Sequence, residues 1–188
     1  MAFQFTPLSL HDVVLILPTR HHDDRGFFSE TFRASAFEPY VRDPFVQDNL
    51  ARSAAGVLRG LHFQLAPRAQ GKLIQVVRGE IWGVAVDIRR SSPTFRRWVG
   101  TPLSAETGHM LWVPPGFAHG YVVTSDGADV AYKVTAEYEP ALDRGIRWDD
   151  PDLGIQWPNI GPIAPKDPIV SEKDRALPLL SAAETLFE

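Results

Sequence analysis

The stretch GHMLWVPPGFAH, Gly108 to His119, decides how this chain is read. A short apolar run, Met110 to Val113, ends on Pro114-Pro115-Gly116, and a second run begins at once and carries a histidine into "HGYVVTS", His119–Ser125. Proline cannot continue a central strand and glycine permits the turn, so two strands meet here. The pattern repeats on either side. "KLIQVVRG" (Lys72–Gly79), "EIWGVAVDIR" (Glu80–Arg89) and "ADVAYKVTAEY" (Ala128–Tyr138) are rich in β-branched and aromatic residues and are punctuated by Gly, Pro, Ser and Asp. "RGE" at Arg78–Glu80 reads as a hairpin turn and "RRSSPT" at Arg89–Thr94 as a longer one. Short strands at this spacing indicate an all-β sandwich or barrel. Ser29–Val41 reads as a short helix or an extended edge, and Ser171–Leu177 as a helical turn. From Pro158 the chain becomes proline-rich and extended, as a tail wrapped on the barrel.

At 188 residues, with 44% apolar residues, the chain suits one domain with a real core. We expect a single domain over residues 1–188, with the barrel core at about 45–138 and the tail at about 158–188. The formal charge of −4 comes from interspersed acids and bases and offers no basic stripe for nucleic acid. With no cysteine, disulfides, thiolate metal sites and a cysteine nucleophile are excluded. "MAFQFTPLSL" lacks a basic start followed by a long apolar run, and no apolar run approaches ~20 residues. The expectation is therefore a cytoplasmic protein with no membrane association.

Upstream, "GVLRGLHFQ" (Gly56–Gln64) sets Arg59 and His62 inside an apolar strand, where such groups need partners. They are three residues apart, so a regular strand would send them to opposite faces. Gly60 lies between them and permits a bulge that turns both to one side. Tyr132 shares a strand face with Val130 and Val134, as a core tyrosine or as an acid facing the interior.

The spacing Gly108, Pro114, Gly116, His119 resembles the second motif of the cupin superfamily, in which glycines and prolines shape a hairpin and the histidine projects into a small jelly-roll barrel. Gly56 and His62 resemble the first motif. Metal-binding cupins continue His-x-His and then Glu; here Gln64 replaces the second histidine and no Glu follows before Lys72. Amide oxygen is a weak ligand for the metals that imidazole suits, so we expect no metal.

Ten segments extend the likeness. "DDRGFFSETF", "FVQDN", "GVLRGLHFQ", "QGKLIQVVRGEI", "VAVDIRRSSPTF", "LSAE", "LWVPPGFAHGY", "YKVTAEYEP", "GIRWDDPDLGIQWP" and "SEKD" occur in that order. The ordered set resembles the dTDP-4-dehydrorhamnose 3,5-epimerase family. That resemblance implies a cupin-type jelly roll with a few short helices, and an enzyme without cofactor. It would convert dTDP-4-dehydro-6-deoxy-D-glucose to dTDP-4-dehydro-L-rhamnose by moving protons at C3 and C5. Such chemistry needs a base, an enolate stabiliser and an acid on the opposite face. The resemblance assigns His62 as base, Asp174 as its carboxylate partner, Lys72 to the enolate oxygen and Tyr132 as acid. Ser171-x-x-Asp174 is equally a helix-capping pattern. For substrate binding the resemblance implies Arg25, Glu30, Gln47, Asn49, Arg59, His119, Tyr138, Asp143 and Lys173, with arginines suited to diphosphate and Tyr138 stacking on the base. It also implies a homodimer with exchanged N-terminal strands. Departures from the family pattern are Gly83, Leu50, Ala51, Arg96 and Asp143, which leave a mono-epimerase, acting at C3 or C5 alone, as the alternative. A non-catalytic sugar-nucleotide-binding cupin is the alternative of another class.

Overall fold

The computed structural model describes residues 2–158, 168–183 and 186–187. Strands β1 (Phe3–Pro7), β2 (Val14–Pro18), β5 (Gln47–Ala54), β7 (Lys72–Arg78), β10 (Met110–Val113) and β12 (Gly127–Val134) form one antiparallel sheet in the order β1-β2-β10-β7-β12-β5. A second antiparallel sheet, in the order β13-β6-β11-β8-β9, contains β6 (Leu58–Gln64), β8 (Glu80–Asp87), β9 (Trp98–Ser104), β11 (Phe117–Val123) and β13 (Asp143–Gly145). Strands β3 (His21–Asp23) and β4 (Gly26–Phe28) pair only with each other. Helices α1 (Ala34–Phe37) and α2 (Glu172–Arg175) are single turns. The all-β jelly roll expected from the sequence is the fold observed.

From β5 to β12 every connection but one crosses between the sheets, which corrects two turn readings. Gly79, in Arg78–Glu80, does not close a hairpin: β7 pairs with β10 and β12, whereas β8 pairs with β11 and β9. Its φ of +75° makes a corner, and a side chain there would collide with the Gly127 carbonyl. Pro114-Pro115-Gly116 is likewise a corner, because β10 and β11 lie in different sheets. A Pro-Pro-Gly segment bends the chain in either case, and local sequence does not reveal which strand will be the partner. The turn at Arg89–Thr94 does join paired strands, β8 and β9.

The inner faces of both sheets supply one core, including Ile74, Val76, Leu111, Val113, Val130, Ile81, Ala85 and Val123, all nearly inaccessible. Burying an aliphatic chain of this size contributes about 1.5–3 kcal/mol. The outer face of the six-stranded sheet is covered by the segment around α1, where Phe37 and Val41 pack on Phe3, Ile16, Leu73 and Trp112. Arg96, where the resemblance led us to expect glycine, has φ +69° and is the sole positive-φ non-glycine residue among those described.

The tail returns to the barrel in three places. Ile169 bridges Val57, the Leu180 N–H donates to the buried Asp150 carboxylate at 2.6 Å, and Phe187 bridges Arg89. Residues 159–167 of the expected tail lie outside the described residues. β1 and β2 sit in the chain's own sheet, so of the N-terminal strands only the β3–β4 ribbon is unattached to either sheet. Among the described residues no helix is long and apolar enough to cross a membrane.

Candidate active site

Register across the first sheet explains how polar groups enter an apolar barrel. Gln47, Val134 and Lys72 form one cross-strand row and Asn49, Tyr132 and Ile74 the next. Ala51, Val130 and Val76 form the third. The first two rows thus each place two polar side chains beside an aliphatic one on the inner face, and the third is wholly apolar. The second sheet contributes His62 and His119, which lie directly opposite each other on β6 and β11.

The expected irregularity is present. Between the pairs His119–His62 and Tyr121–Arg59 the register shifts, with three steps along β6 matching two along β11. Gly60 has φ +130°, and a Cβ there would lie 2.6 Å from the Gly120 Cα. Glycine at both positions allows this close approach, and Arg59 and His62 consequently face one cavity.

That cavity has a volume of about 680 Å³, within the range of small-molecule sites. His62 Nε2 stands 3.1 Å from Asp174 Oδ1. Asp174 is 4% exposed, and its other oxygen accepts the Gly60 N–H at 3.1 Å. Burial pushes this carboxyl up, but hydrogen bonding and charge from His62, the Gly60 N–H and Ser171 outweigh it and hold the group below its usual value. The capping pattern is real too: the Ser171 hydroxyl accepts the Asp174 N–H at 3.1 Å. One short helix therefore fixes the carboxylate that orients the histidine.

Lys72 Nζ donates to the His62 carbonyl at 3.3 Å. Burial lowers its pKa to about 8, against an opposing pull from Asp143. His119 is pushed down to about 3, first by burial and then by the charges of Lys72 and His62, so its ring is neutral at neutral pH. Its Nε2 is buried with no partner among the described residues. Burial raises the Tyr132 pKa, Tyr121 and Asp143 add to this and Arg59 opposes it; the phenol stays protonated. Tyr132 and His62 stand on facing sheets.

At the exposed end of the cavity, Lys173 Nζ donates to Asp143 at 2.7 Å and the Tyr138 hydroxyl donates to the same oxygen at 3.3 Å. Gln47 accepts the Tyr138 N–H at 2.9 Å and donates to Asn49 at 2.8 Å. Arg59 Nε donates to Ser53 at 3.0 Å.

The structure thus gathers His62, Lys72, His119, Tyr132, Asp174, Gln47, Asn49, Arg59, Tyr138, Asp143 and Lys173 around one cavity. Arg25 and Glu30 are not among the residues lining it. Arg25 sits at the tip of the β3–β4 ribbon with its side chain 89% exposed and paired to Asp23, and Glu30 pairs with Arg33 at 3.5 Å. The ribbon carries Arg25 outward because, among the described residues, it has no strand partner beyond itself, and Glu30 follows two residues after it. Sequence reasoning missed Gln70, Ala51 and Tyr121, which also line the cavity. Tyr121 was within reach, since it stands two residues after His119 on the same strand face. Gln64 turns away: its amide donates to the Arg68 and Glu137 carbonyls and accepts the Glu139 N–H.

A family model described as dTDP-4-dehydrorhamnose 3,5-epimerase matches residues 7–182. The chain belongs to the dTDP-4-dehydrorhamnose 3,5-epimerase family. It is 51% identical over 172 residues to the dTDP-4-dehydrorhamnose 3,5-epimerase of Pseudomonas aeruginosa, covering 90% of this chain and 92% of that one. The crystal structure of the Legionella pneumophila 3,5-epimerase in complex with dTDP-4-keto-L-rhamnose superposes with a TM-score of 0.90 at 43% identity, over 97% of this chain and 95% of that one. A 3'-monoepimerase from Streptomyces bikiniensis, in complex with dTDP-quinovose, gives a TM-score of 0.86 at 36% identity, over 95% and 88% of the two chains.

Proposed function

We propose that this protein is a 3,5-epimerase that converts dTDP-4-dehydro-6-deoxy-D-glucose to dTDP-4-dehydro-L-rhamnose. The observation that carries the reading is the His62–Asp174 pair at 3.1 Å, facing Tyr132 across one cavity. His62, oriented by Asp174, removes a proton alpha to the ketone. The electron pair moves to the ketone oxygen, where the Lys72 ammonium and the neutral His119 ring receive the charge. Tyr132 returns a proton to the carbon from the opposite face, and the same groups then act at the second carbon. After each inversion His62 releases its gained proton to water and Tyr132 takes one back, so both groups are reset before the second carbon and the product is an isomer of the substrate.

Arg59, Lys173, Tyr138, Gln47, Asn49 and Asp143 hold the nucleotide diphosphate. We read the site as metal-independent because the amide of Gln64 is committed to three backbone groups and His62 Nε2 is turned to Asp174. The enzyme works as a single cytoplasmic cupin domain and as a homodimer. Supporting the dimer, the β3–β4 ribbon exposes Phe27 and Phe28, at 56% and 71%, beside Arg25. The exchanged element is then this ribbon with the residues just after it, which takes Arg25 and Glu30 to the partner's cavity.

The similarity to a 3'-monoepimerase keeps single-carbon epimerisation as the second reading. One experiment separates the two. Incubated in heavy water with dTDP-4-dehydro-6-deoxy-D-glucose, the enzyme should place deuterium at both C3 and C5, read by NMR. Label at one carbon alone gives the second reading, and label at neither refutes both.

A further inference from the structure

Three tyrosines line the cavity, and the function proposed above uses Tyr132 and Tyr138 but not the third, Tyr121. Tyr121, on β11, is 5% exposed and its ring lies 6.3 Å from that of His119. Among the described residues its hydroxyl has one hydrogen-bond neighbour, Ser53 Oγ at 3.4 Å. That separation is long against the ~2.7–2.8 Å usual between hydroxyls. Ser53 Oγ is better served, since it accepts Arg59 Nε at 3.0 Å. A hydroxyl has one hydrogen to give and two lone pairs. With one Ser53 lone pair held by the guanidinium, the serine hydrogen is free to turn to the phenol, and the phenol hydrogen is then free for the cavity. In the reverse arrangement the phenol oxygen keeps unused lone pairs. Either way, a buried hydroxyl stands underused in the wall of a cavity sized for a sugar nucleotide, and buried polar groups normally find a partner.

Its location gives that partner a chemical identity. Tyr121 and Arg59 both act electrostatically on Tyr132, whereas Lys72 and His62 are the charges felt by His119. Although its ring packs near His119, the Tyr121 hydroxyl reaches across to Ser53 on β5, the strand paired with β12, and so lies toward the sheet that carries Tyr132. One acid must serve two carbons that flank the ketone, so the ring has to be presented in two ways. A contact to the ring beside the acid biases which carbon is presented.

We propose that Tyr121 is a specificity-determining residue: its hydroxyl, tied through Ser53 to Arg59, hydrogen-bonds the sugar ring and sets how proton delivery from Tyr132 divides between C3 and C5. This rests on the reading of Tyr132 and His62 given above. The test is Tyr121→Phe, which deletes one oxygen and keeps the ring. Initial rates of deuterium entry at C3 and at C5 are measured by NMR in heavy water, with dTDP affinity measured by calorimetry. The C3-to-C5 ratio should change by about threefold to tenfold, the scale of one neutral hydrogen bond, while dTDP affinity stays within about twofold. Ser53→Ala, which keeps the phenol and removes its anchor, should move the ratio in the same direction, and it carries the test if Tyr121→Phe fails to fold. An unchanged ratio, whether the two rates fall together or not at all, makes Tyr121 a packing residue and overturns the proposal. If instead His62→Ala exchanges label like the wild type, the underlying site reading fails, and the proposal with it.

Discussion

Replacing Asp174 by asparagine separates what the carboxylate does for structure from what it does for chemistry. The amide has the same shape and can still accept the Gly60 N–H, now made at 3.1 Å, so the bulge at Gly60 between the paired strands β6 and β11 should hold. Two things are lost. The first is a charge-assisted bond to His62, worth about 1.5–3 kcal/mol, which is roughly 10- to 150-fold in rate if it is felt only once the imidazole is protonated. The second is the tautomer. An NH₂ group facing Nε2 makes that nitrogen an acceptor and moves the ring proton to Nδ1, the nitrogen left for the substrate. A base with its lone pair turned away cannot accept a proton, and the same swap in a serine-protease triad costs about 10⁴ in kcat. The expectation for Asp174→Asn is thus a fall of about 10³–10⁴ in deuterium entry at C3 and C5 alike, with dTDP affinity within about twofold and little change in thermal midpoint. A loss below about tenfold would reduce Asp174 to an anchor for Gly60 and α2, and would leave His62 without an orienting partner.

Two further outcomes follow from ionisation. With its pKa near 8 in the folded protein and 10.5 as the reference value, Lys72 carries a buried charge that destabilises the fold at neutral pH, a cost relieved as pH rises from about 8 toward 10.5. Lys72→Met should raise the unfolding free energy at pH 7 by about 1–3 kcal/mol, allowing for partial solvent access, with the gain fading near pH 10.5. The wild-type kcat/KM should fall above about pH 8, and a limb that persists in Lys72→Met would assign that titration to another group. Asp87 is inaccessible; burial raises its pKa, but Arg89, Ser92 and Thr94 overcome this and hold it at about 2. Its depressed pKa contributes about 2 kcal/mol above pH 4 that is lost as pH falls toward 2. Asp87→Asn should flatten urea-unfolding free energy over that window; an unaltered slope would mean the carboxylate is not the group responsible.

The strands and their inner faces were legible because a two-residue period survives in this chain. Val130, Tyr132 and Val134 share the inner face as that period implies, the two valines buried and Tyr132 half-buried. Turn partners were not legible: Arg78-Gly79-Glu80 has hairpin residues yet joins two sheets, because jelly-roll topology is decided by non-local pairing. The bulge at Gly60 could be inferred, since two polar residues three apart in an apolar strand demand either a break or an exposed face. His62, Asp174 and Lys72 come from segments far apart in sequence, and it took the ordered resemblance to link them. Arg25 shows the limit of a single chain. Residue type and family pattern place it with the substrate, yet backbone pairing sends it away on a free ribbon. Tyr121 went unread for a different reason, since a tyrosine in an apolar strand looks like core until its hydroxyl is seen, among the described residues, with only a long contact to Ser53.

The register pair His62–His119 occupies the place where the sequence resembles a cupin metal site, and the groups around it favour an anion rather than a cation. Lys72 reaches the His62 carbonyl at 3.3 Å and is one of the charges that keep His119 neutral. A metal ion placed between these rings would face an ammonium, a nitrogen turned to Asp174 and a Gln64 amide committed to backbone. An enolate oxygen in the same position would meet the ammonium as a counter-charge and the free Nε2 of His119 as a neutral hydrogen-bonding group. In the proposed mechanism a protonated lysine at this spot would supply the charge stabilisation that a Lewis acid would otherwise provide. The arrangement costs fold stability while the site is empty and recovers it when an anion arrives. Binding of the anionic substrate should therefore raise the affinity of the protein for a proton at Lys72, which places the alkaline limb of kcat above that of kcat/KM.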